Sequence, residues 1–504
     1  MDHTTDILLT DLRHLIAGLG AAGGLISPSI YDTAQVLRLA PPAQGPWPGL
    51  NWLAEQQHAD GGWGDPAIPN ARDLPTLAAV LALHIYCTRE RERKAVQDGL
   101  SFLRRQASHW STLSDDIPVG VELLLPRLLD EAAELGLKVP RGQYASLIAL
   151  GARRRSLVAQ TTRISGTPLA HSWEALGIAP DLSVVDSTGG VGHSPAATAA
   201  WLRAVGPGSA ASAARVAAQR YLEQAAAATG QNIPGIAPTV WPIVRFEQSF
   251  ALYMLLIAGL LDHPRLQDVV QPQIADLSQA LRPGGLGMSD AFLPDGDDTA
   301  AALIVLHAAG RPVDERALSA FAADDHFCAY PGELQPSLSV TAHAVHLLAL
   351  LGLEHSRPRS FVVARQLRDG RWLGDKWNGS WLYTTLQAIV ALHHSQPSAA
   401  IGAAVDGMLL YQHEDGGWGT RGSTSEETAY AVLALRALGP DRAPAADQAL
   451  LRGERWMRVN YRPFFVSPVT CWIGKETYQP TRLARVIELA ATIPVEASVT
   501  ASVA

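Results

Sequence analysis

Apolar residues along this chain come in long, nearly unbroken segments instead of strict alternation. Thr76-Leu-Ala-Ala-Val-Leu-Ala-Leu and Thr428-Ala-Tyr-Ala-Val-Leu-Ala-Leu are two such segments, and similar ones open at Thr198, Thr299, Thr341 and Thr385. Period-two patterning is scarce, which argues against strands, whereas continuous alanine, leucine and valine suit buried helices. The threonine at the head of each run is expected to be its N-cap. The run from Phe250 to Leu261 is shorter than the roughly 20 residues that cross a bilayer and reads as a buried helix.

A repeated turn precedes the runs. Gln57-His-Ala-Asp-Gly-Gly-Trp63-Gly64 returns almost letter for letter as Gln412-His-Glu-Asp-Gly-Gly-Trp418-Gly419. A Gly-rich turn that repeatedly feeds a helix of small residues predicts helix pairs stacked into a toroid. Two widely separated copies predict two toroids, so the expected fold is all-α, with two α/α-barrel domains. Glycine is expected to supply the bend of each turn and tryptophan to plug between helix ends.

Composition supports a folded, apolar interior. The 504 residues are 47% hydrophobic and 17% charged, enough for more than one core and too weakly charged for disorder. The net charge is −8, and Arg153-Arg154-Arg155 is the densest basic run, a local anion site at best and no nucleic-acid surface. Cys87, Cys328 and Cys471 lie far apart without a CxxC pair, which indicates neither a disulfide framework nor a zinc knuckle. Met1-Asp2-His3-Thr4-Thr5-Asp6 lacks the basic stretch of a signal peptide, so a soluble, cytoplasmic protein is expected.

Candidate chemistry concentrates at Asp295-Gly296-Asp297-Asp298, where a loop enters the helix opening at Thr299. Aspartates there can serve simply as an acidic N-cap favoured by the helix dipole. A calcium loop is a second reading, but the later glutamate and the ligand spacing are missing. The third reading is chemical. Three carboxylates within four residues cannot all ionise cheaply in a dry site, so at least one pKa rises and the cluster holds a proton. Facing an apolar cavity, that proton is available to an alkene, which has no lone pair with which to accept it.

Asp295-Gly-Asp297-Asp298-Thr-Ala resembles the DxDD motif of class II terpene cyclases. Ser27-Pro-Ser-Ile-Tyr31-Asp32-Thr33-Ala34, Pro118-Val-Gly-Val-Glu122, Ser194-Pro-Ala-Ala-Thr198-Ala and Pro238-Thr239-Val-Trp241-Pro with Phe246-Glu247 also resemble segments of that family. So do Asp375-Lys376-Trp377 and Trp472-Ile-Gly-Lys475-Glu476-Thr-Tyr478, in family order. The resemblance implies a βγ architecture: residues 1–22 as the first β-domain helix, 23–240 as an inserted γ barrel, and 241–504 as the β barrel carrying DxDD. It implies Asp297 as proton donor, supported by Asp295 and Asp298, with His343 and Thr341 near the place where the family buttresses the acid. No aspartate-rich class I site is present, since Asp115-Asp116 and Asp324-Asp325 lack a third acid, so the diphosphate is expected to stay on the product.

The substrate implied is geranylgeranyl diphosphate, cyclised to a bicyclic diphosphate of the copalyl or halimadienyl kind, with farnesyl diphosphate as the alternative. Lys376, Arg72, Arg153 and Arg155 are the expected diphosphate anchors, and Glu122 with Asp116 the residues near Mg²⁺. Trp241, Phe292, Trp377, Trp381 and Tyr383 are candidates to face carbocations. His171, in Leu169-Ala-His171-Ser-Trp-Glu174, resembles the histidine of a terminating base dyad, whose asparagine partner is here Thr239. A downstream class I synthase or phosphatase is the implied partner. An α/α-toroid glycosidase, which needs two opposed acids and exposed sugar platforms, and a non-catalytic helical-repeat binding protein remain alternatives.

Overall fold

The computed structural model describes residues 3–494 except 107–109, 111–112, 114–115, 162–163, 207–211, 334, 396–397, 441 and 464–468. Asp115 therefore lies outside the described residues. The described chain is mostly helical, its strands being the two-residue pair Trp472–Ile473 and Thr477–Tyr478. Among the described residues no helix is long and apolar enough to cross a membrane.

Two closed rings of inner helices organise the chain. Six helices form the first: Val244–Ile257, Gly296–Ala308, Leu338–Leu350, Trp381–His393, Ser425–Ala437 and Thr481–Thr492. Each packs on the next, and the last packs back on the first. The second ring runs through Ile30–Leu39, Asp73–Ile85, Val121–Glu134, the 3₁₀ segment Pro168–Ala175 and Pro195–Val205, and closes in the same way. One hydrophobic core draws on residues 8–26 and 240–493, the other on residues 30–236. Leu338–Leu350 and Trp381–His393 are buried over nearly their whole length and are apolar nearly all round, whereas Val121–Glu134 keeps a polar face with Arg127 and Glu134 exposed.

The repeated turn explains how the inner helices are seated. Trp63, Trp372 and Trp418 each donate an indole N–H to a carbonyl ten residues upstream, at Leu53, Val362 and Met408, over 2.7–2.9 Å. Gln57, Gln366 and Gln412 each use their amide to tie the following Gly carbonyl to a neighbouring helix, at Ala95, Ala400 and Ala449. Gly61, Gly370 and Gly416 have φ near +90°, a conformation glycine adopts without strain. The copy at Gln366–Trp372 escapes the sequence comparison because Arg371 and Leu373 replace two glycines and Leu367 replaces the histidine.

The expected threonine caps are displaced by one turn. Ser194, Asp295, Ser337, Ser380 and Thr424 are the caps, their side chains accepting from N–H groups of the first turn. Thr198, Thr299, Thr341, Thr385 and Thr428 lie inside the helices, and Thr76 lies inside Asp73–Ile85. Each hydroxyl accepts the backbone N–H of the preceding turn: from Trp63, Val191, Leu286, Phe327, Trp372 and Trp418 over 2.9–3.3 Å. Buried threonine thereby satisfies a turn amide that no regular ladder reaches.

The hairpin at 472–478 joins the rings. Its tip sends Lys475, fully buried, between Asp32 (3.3 Å), Glu174 (3.2 Å) and Ser194 Oγ (2.6 Å) of the five-membered ring. Glu476 accepts from Ser29 Oγ and from the Tyr31 N–H. The sides of the hairpin then face a cavity between the rings.

Candidate active site

The cavity and its opening to solvent together span about 790 Å³. Pro168, His171 and Thr239 line one part and Phe246, Phe250, Met288 and Asp295, Asp297 and Asp298 another, with Trp377, Trp472 and Tyr478 between them. Apart from the aspartates, His171 and Thr239, its lining is mostly apolar or aromatic.

The aspartates divide their work. Asp295 is both the N-cap of Gly296–Ala308 and a cavity residue: its Oδ1 accepts from Asp297 N (3.1 Å) and Asp298 N (2.8 Å), while Oδ2 is buried without a partner. Burial, then the charge of Asp298, push its carboxyl well above the usual range, so it stays protonated. Asp298 accepts from Ser249 Oγ (2.8 Å), and burial raises it to about 7. Asp297 keeps 16% of its side chain exposed, where both neighbours are buried, and its Oδ1 lies 2.5 Å from His343 Nδ1. The helix cap and the acid cluster are one structure, so the two readings of the sequence are not exclusive.

Aromatic faces surround the acids. Phe246 and Phe250 lie 4.7 Å apart, and Trp472 meets both edge-on at 5.3 and 5.8 Å. Such faces attract a developing cation and offer no nucleophile. Trp377 and Phe292 line the cavity as expected. Sequence reading passed over Phe246, Phe250, Tyr330, Trp472 and Tyr478, although three of them stood inside the quoted motifs. Their signal was adjacency to Glu247 and Lys475.

His171 and Thr239 share this wall. His171 Nδ1 lies 2.8 Å from the Gly192 carbonyl, which fixes the Nδ1–H tautomer and leaves Nε2 as an acceptor. Burial, reinforced by the Lys475 charge, holds its pKa well below the ordinary value, so it is neutral. The Thr239 hydroxyl is buried without a protein partner.

Several expected residues are elsewhere. Arg72 forms a bidentate pair with Asp60 (2.7 and 2.9 Å) across the Gly61-Gly62 turn and packs on Phe102, so it braces that turn instead of anchoring a substrate. Trp241 packs on Tyr221 at 5.4 Å and donates to the Ala22 carbonyl, outside the cavity wall. Trp381 packs on Tyr411, and Tyr383 lies behind Trp472. Arg153 is exposed and Arg155 half-buried on Ala145–Thr161, and neither lines the cavity. Lys376 is adjacent to the cavity, but its ammonium is 2.6 Å from Glu333, which in turn holds the Ala329 N–H of the cavity wall.

Glu122 and Asp116 are the residues expected near magnesium. Glu122 accepts from Arg154 at 3.0 Å, and among the described residues no three His, Cys, Asp or Glu side chains come together as a metal site. Asp116 meets Asn70 through its carbonyl, at 3.5 Å.

Comparison with known proteins agrees with this geometry. Residues 323–462 match the squalene-hopene cyclase C-terminal domain. The chain is 48% identical to (+)-kolavenyl diphosphate synthase of Herpetosiphon aurantiacus, over 98% of this chain and 99% of that one. It is 33% identical to copalyl diphosphate synthase of Streptomyces cyslabdanicus over 93% and 92% of the two chains. Among solved structures, ent-copalyl diphosphate synthase from Streptomyces platensis superposes with a TM-score of 0.80 at 30% identity, covering 98% and 99%. With full-length relatives at this level, a shared α-barrel fold and an acid cluster on an aromatic cavity, the chain belongs to the bacterial class II diterpene cyclases.

Proposed function

We propose that the protein protonates the terminal alkene of geranylgeranyl diphosphate and releases a bicyclic diterpenyl diphosphate of the copalyl or halimadienyl kind. The observation that carries this reading is the placement of Asp297, backed by His343, on the wall of an aromatic cavity. A carboxyl there meets an alkene without competing water, and the cation formed meets only ring faces. Relatives named for copalyl and kolavenyl diphosphates favour this substrate over farnesyl diphosphate. Kolavenyl diphosphate itself is a second candidate product, favoured by the relative at 48% identity. Residues 1–22 and 241–504 are assigned to a β domain and 23–240 to a γ domain.

In this reading Asp297 is the donor, Asp295 and Asp298 hold the cluster proton, and a water between His171 and Thr239 takes the terminal proton. Magnesium is assigned to the substrate's diphosphate and not to a protein cage. The reaction is placed in the cytoplasm, with the product passing to a class I synthase or a phosphatase. Incubation with geranylgeranyl and farnesyl diphosphates plus Mg²⁺, then dephosphorylation and mass spectrometry, tests it. A bicyclic C20 alcohol is expected; no cyclic product from either substrate overturns the reading.

A further inference from the structure

Each cyclisation consumes the acid's proton. In the reaction proposed above, the terminal proton leaves beside His171, in the five-helix ring, and not beside Asp297. An acid walled by aromatic rings therefore needs a supply of protons, and the interior of the six-helix ring contains an unexpected line of polar groups.

That line starts at Asp297 and steps toward the C-terminal ends of the inner helices. His343 Nδ1 meets Asp297, while His343 Nε2 is buried with no protein partner. Tyr253 packs edge-on against the His343 ring at 5.0 Å, and its hydroxyl lies 3.0 Å from His346 Nδ1 and 3.2 Å from Gln387 Oε1. His346 Nε2 and Gln387 Nε2 are likewise buried and unpartnered. His346 stacks at 4.7 Å on His394, which follows the Trp381–His393 helix and is half-buried beside the exposed His393. Three unpartnered polar atoms amid alanine, leucine and valine are costly unless water satisfies them. Burial keeps His346 neutral, so one ring nitrogen can accept a proton as the other releases one.

We propose that Tyr253, His346 and His394, with intervening water, form a relay that returns a proton to Asp297 from the opposite mouth of the six-helix ring. This rests on Asp297 being the acid. A solvent proton enters at His394 and reaches His346 Nε2, and His346 Nδ1–H passes its proton to the Tyr253 oxygen. The Tyr253 hydroxyl proton moves through water to His343 Nε2, and His343 Nδ1–H delivers its proton to the Asp297 carboxylate. Each group gains one proton and loses one, and the net change is one proton from solvent to Asp297.

Tyr253→Phe, His346→Gln and His394→Ala test the relay under two regimes. With enzyme in excess over geranylgeranyl diphosphate, the proton already on Asp297 suffices, and the single-turnover rate stays within about twofold of wild type. With substrate in excess, kcat falls by about tenfold or more. Imidazole added to His394→Ala, where the lost ring borders solvent, restores most of that loss. Unchanged kcat in all three variants overturns the relay. Equal losses in both regimes also overturn it, because they assign the residues to supporting the acid. Asp297→Asn separates the two claims: if it cycles normally the acid assignment fails, and if it is inactive while the three variants cycle normally only the relay fails.

Discussion

His343 Nδ1 lies 2.5 Å from Asp297 Oδ1, across the gap between two neighbouring inner helices. The ring is fully buried, fixed edge-on between Phe250 (5.6 Å) and Tyr253 (5.0 Å), so it orients the one carboxyl of the cluster that retains exposure. His343→Phe keeps the packing and removes the hydrogen bond, and should lower kcat on the order of 100-fold. His343→Gln, which can still reach the carboxyl, should lose less. Equal losses in the two variants, measured at saturating substrate, would assign the histidine to packing alone.

Burial pushes the Asp298 carboxyl, beside Asp297, up to about 7. Below that pH it is neutral; above it, a new negative charge makes Asp297 a weaker acid. The kcat of the wild type is therefore expected to decline as pH rises through about 7. Asp298→Asn should flatten that limb of the profile, and a profile unchanged by the substitution contradicts the assignment.

The unpartnered Thr239 hydroxyl and the neutral His171 line the cavity where the proposed reaction loses its last proton. Thr239→Val removes one of the two groups that hold water there without touching the acid. Substrate consumption should stay within about tenfold of wild type while the product mixture changes. Mass spectrometry of the dephosphorylated products reads this directly; an unaltered product places termination elsewhere.

Glu476 is buried in the joint between the rings, and burial raises it to about 8. A carboxyl with a raised folded pKa binds a proton the unfolded chain has released, so its contribution is present at low pH and lost as pH rises through about 8. The neutral histidines oppose this only below their ordinary value near 6.5. Between pH 6.5 and 8, wild-type stability should fall relative to Glu476→Gln, on the order of 1 kcal/mol per pH unit. Parallel pH dependence of the two proteins in thermal unfolding would contradict this.

The helical architecture was legible because inner helices such as Leu338–Leu350 and Trp381–His393 are buried on nearly every side, and the resulting apolar runs survive in single letters. The copied Gln57 and Gln412 turns showed the repeat, whereas the Gln366 turn kept its geometry while changing two glycines and the histidine. The threonine caps were misplaced because Thr198 and Thr299 satisfy amides of a preceding turn, a tertiary bond that local cap chemistry does not reveal. Asp295, Asp297 and Asp298 were identifiable, since carboxylates clustered at a helix entrance have few explanations. Arg72 and Trp241 were not, because whether a guanidinium meets Asp60 or an indole meets Tyr221 depends on which helices adjoin. Tyr253 and His346 lay inside apolar runs, where their pairing across helices leaves no trace in spacing.

The central claim is that Asp297 donates the initiating proton, and replacing its carboxyl by an amide tests it most directly. Asp297→Asn, confirmed folded by thermal unfolding, is incubated with geranylgeranyl diphosphate beside the wild type, and the dephosphorylated products are quantified. The account predicts a bicyclic alcohol from the wild type and a loss of at least about 1,000-fold in the variant, within the usual reach of a positioned acid. Formation of the same bicyclic product by Asp297→Asn at a rate within about tenfold of wild type would contradict it.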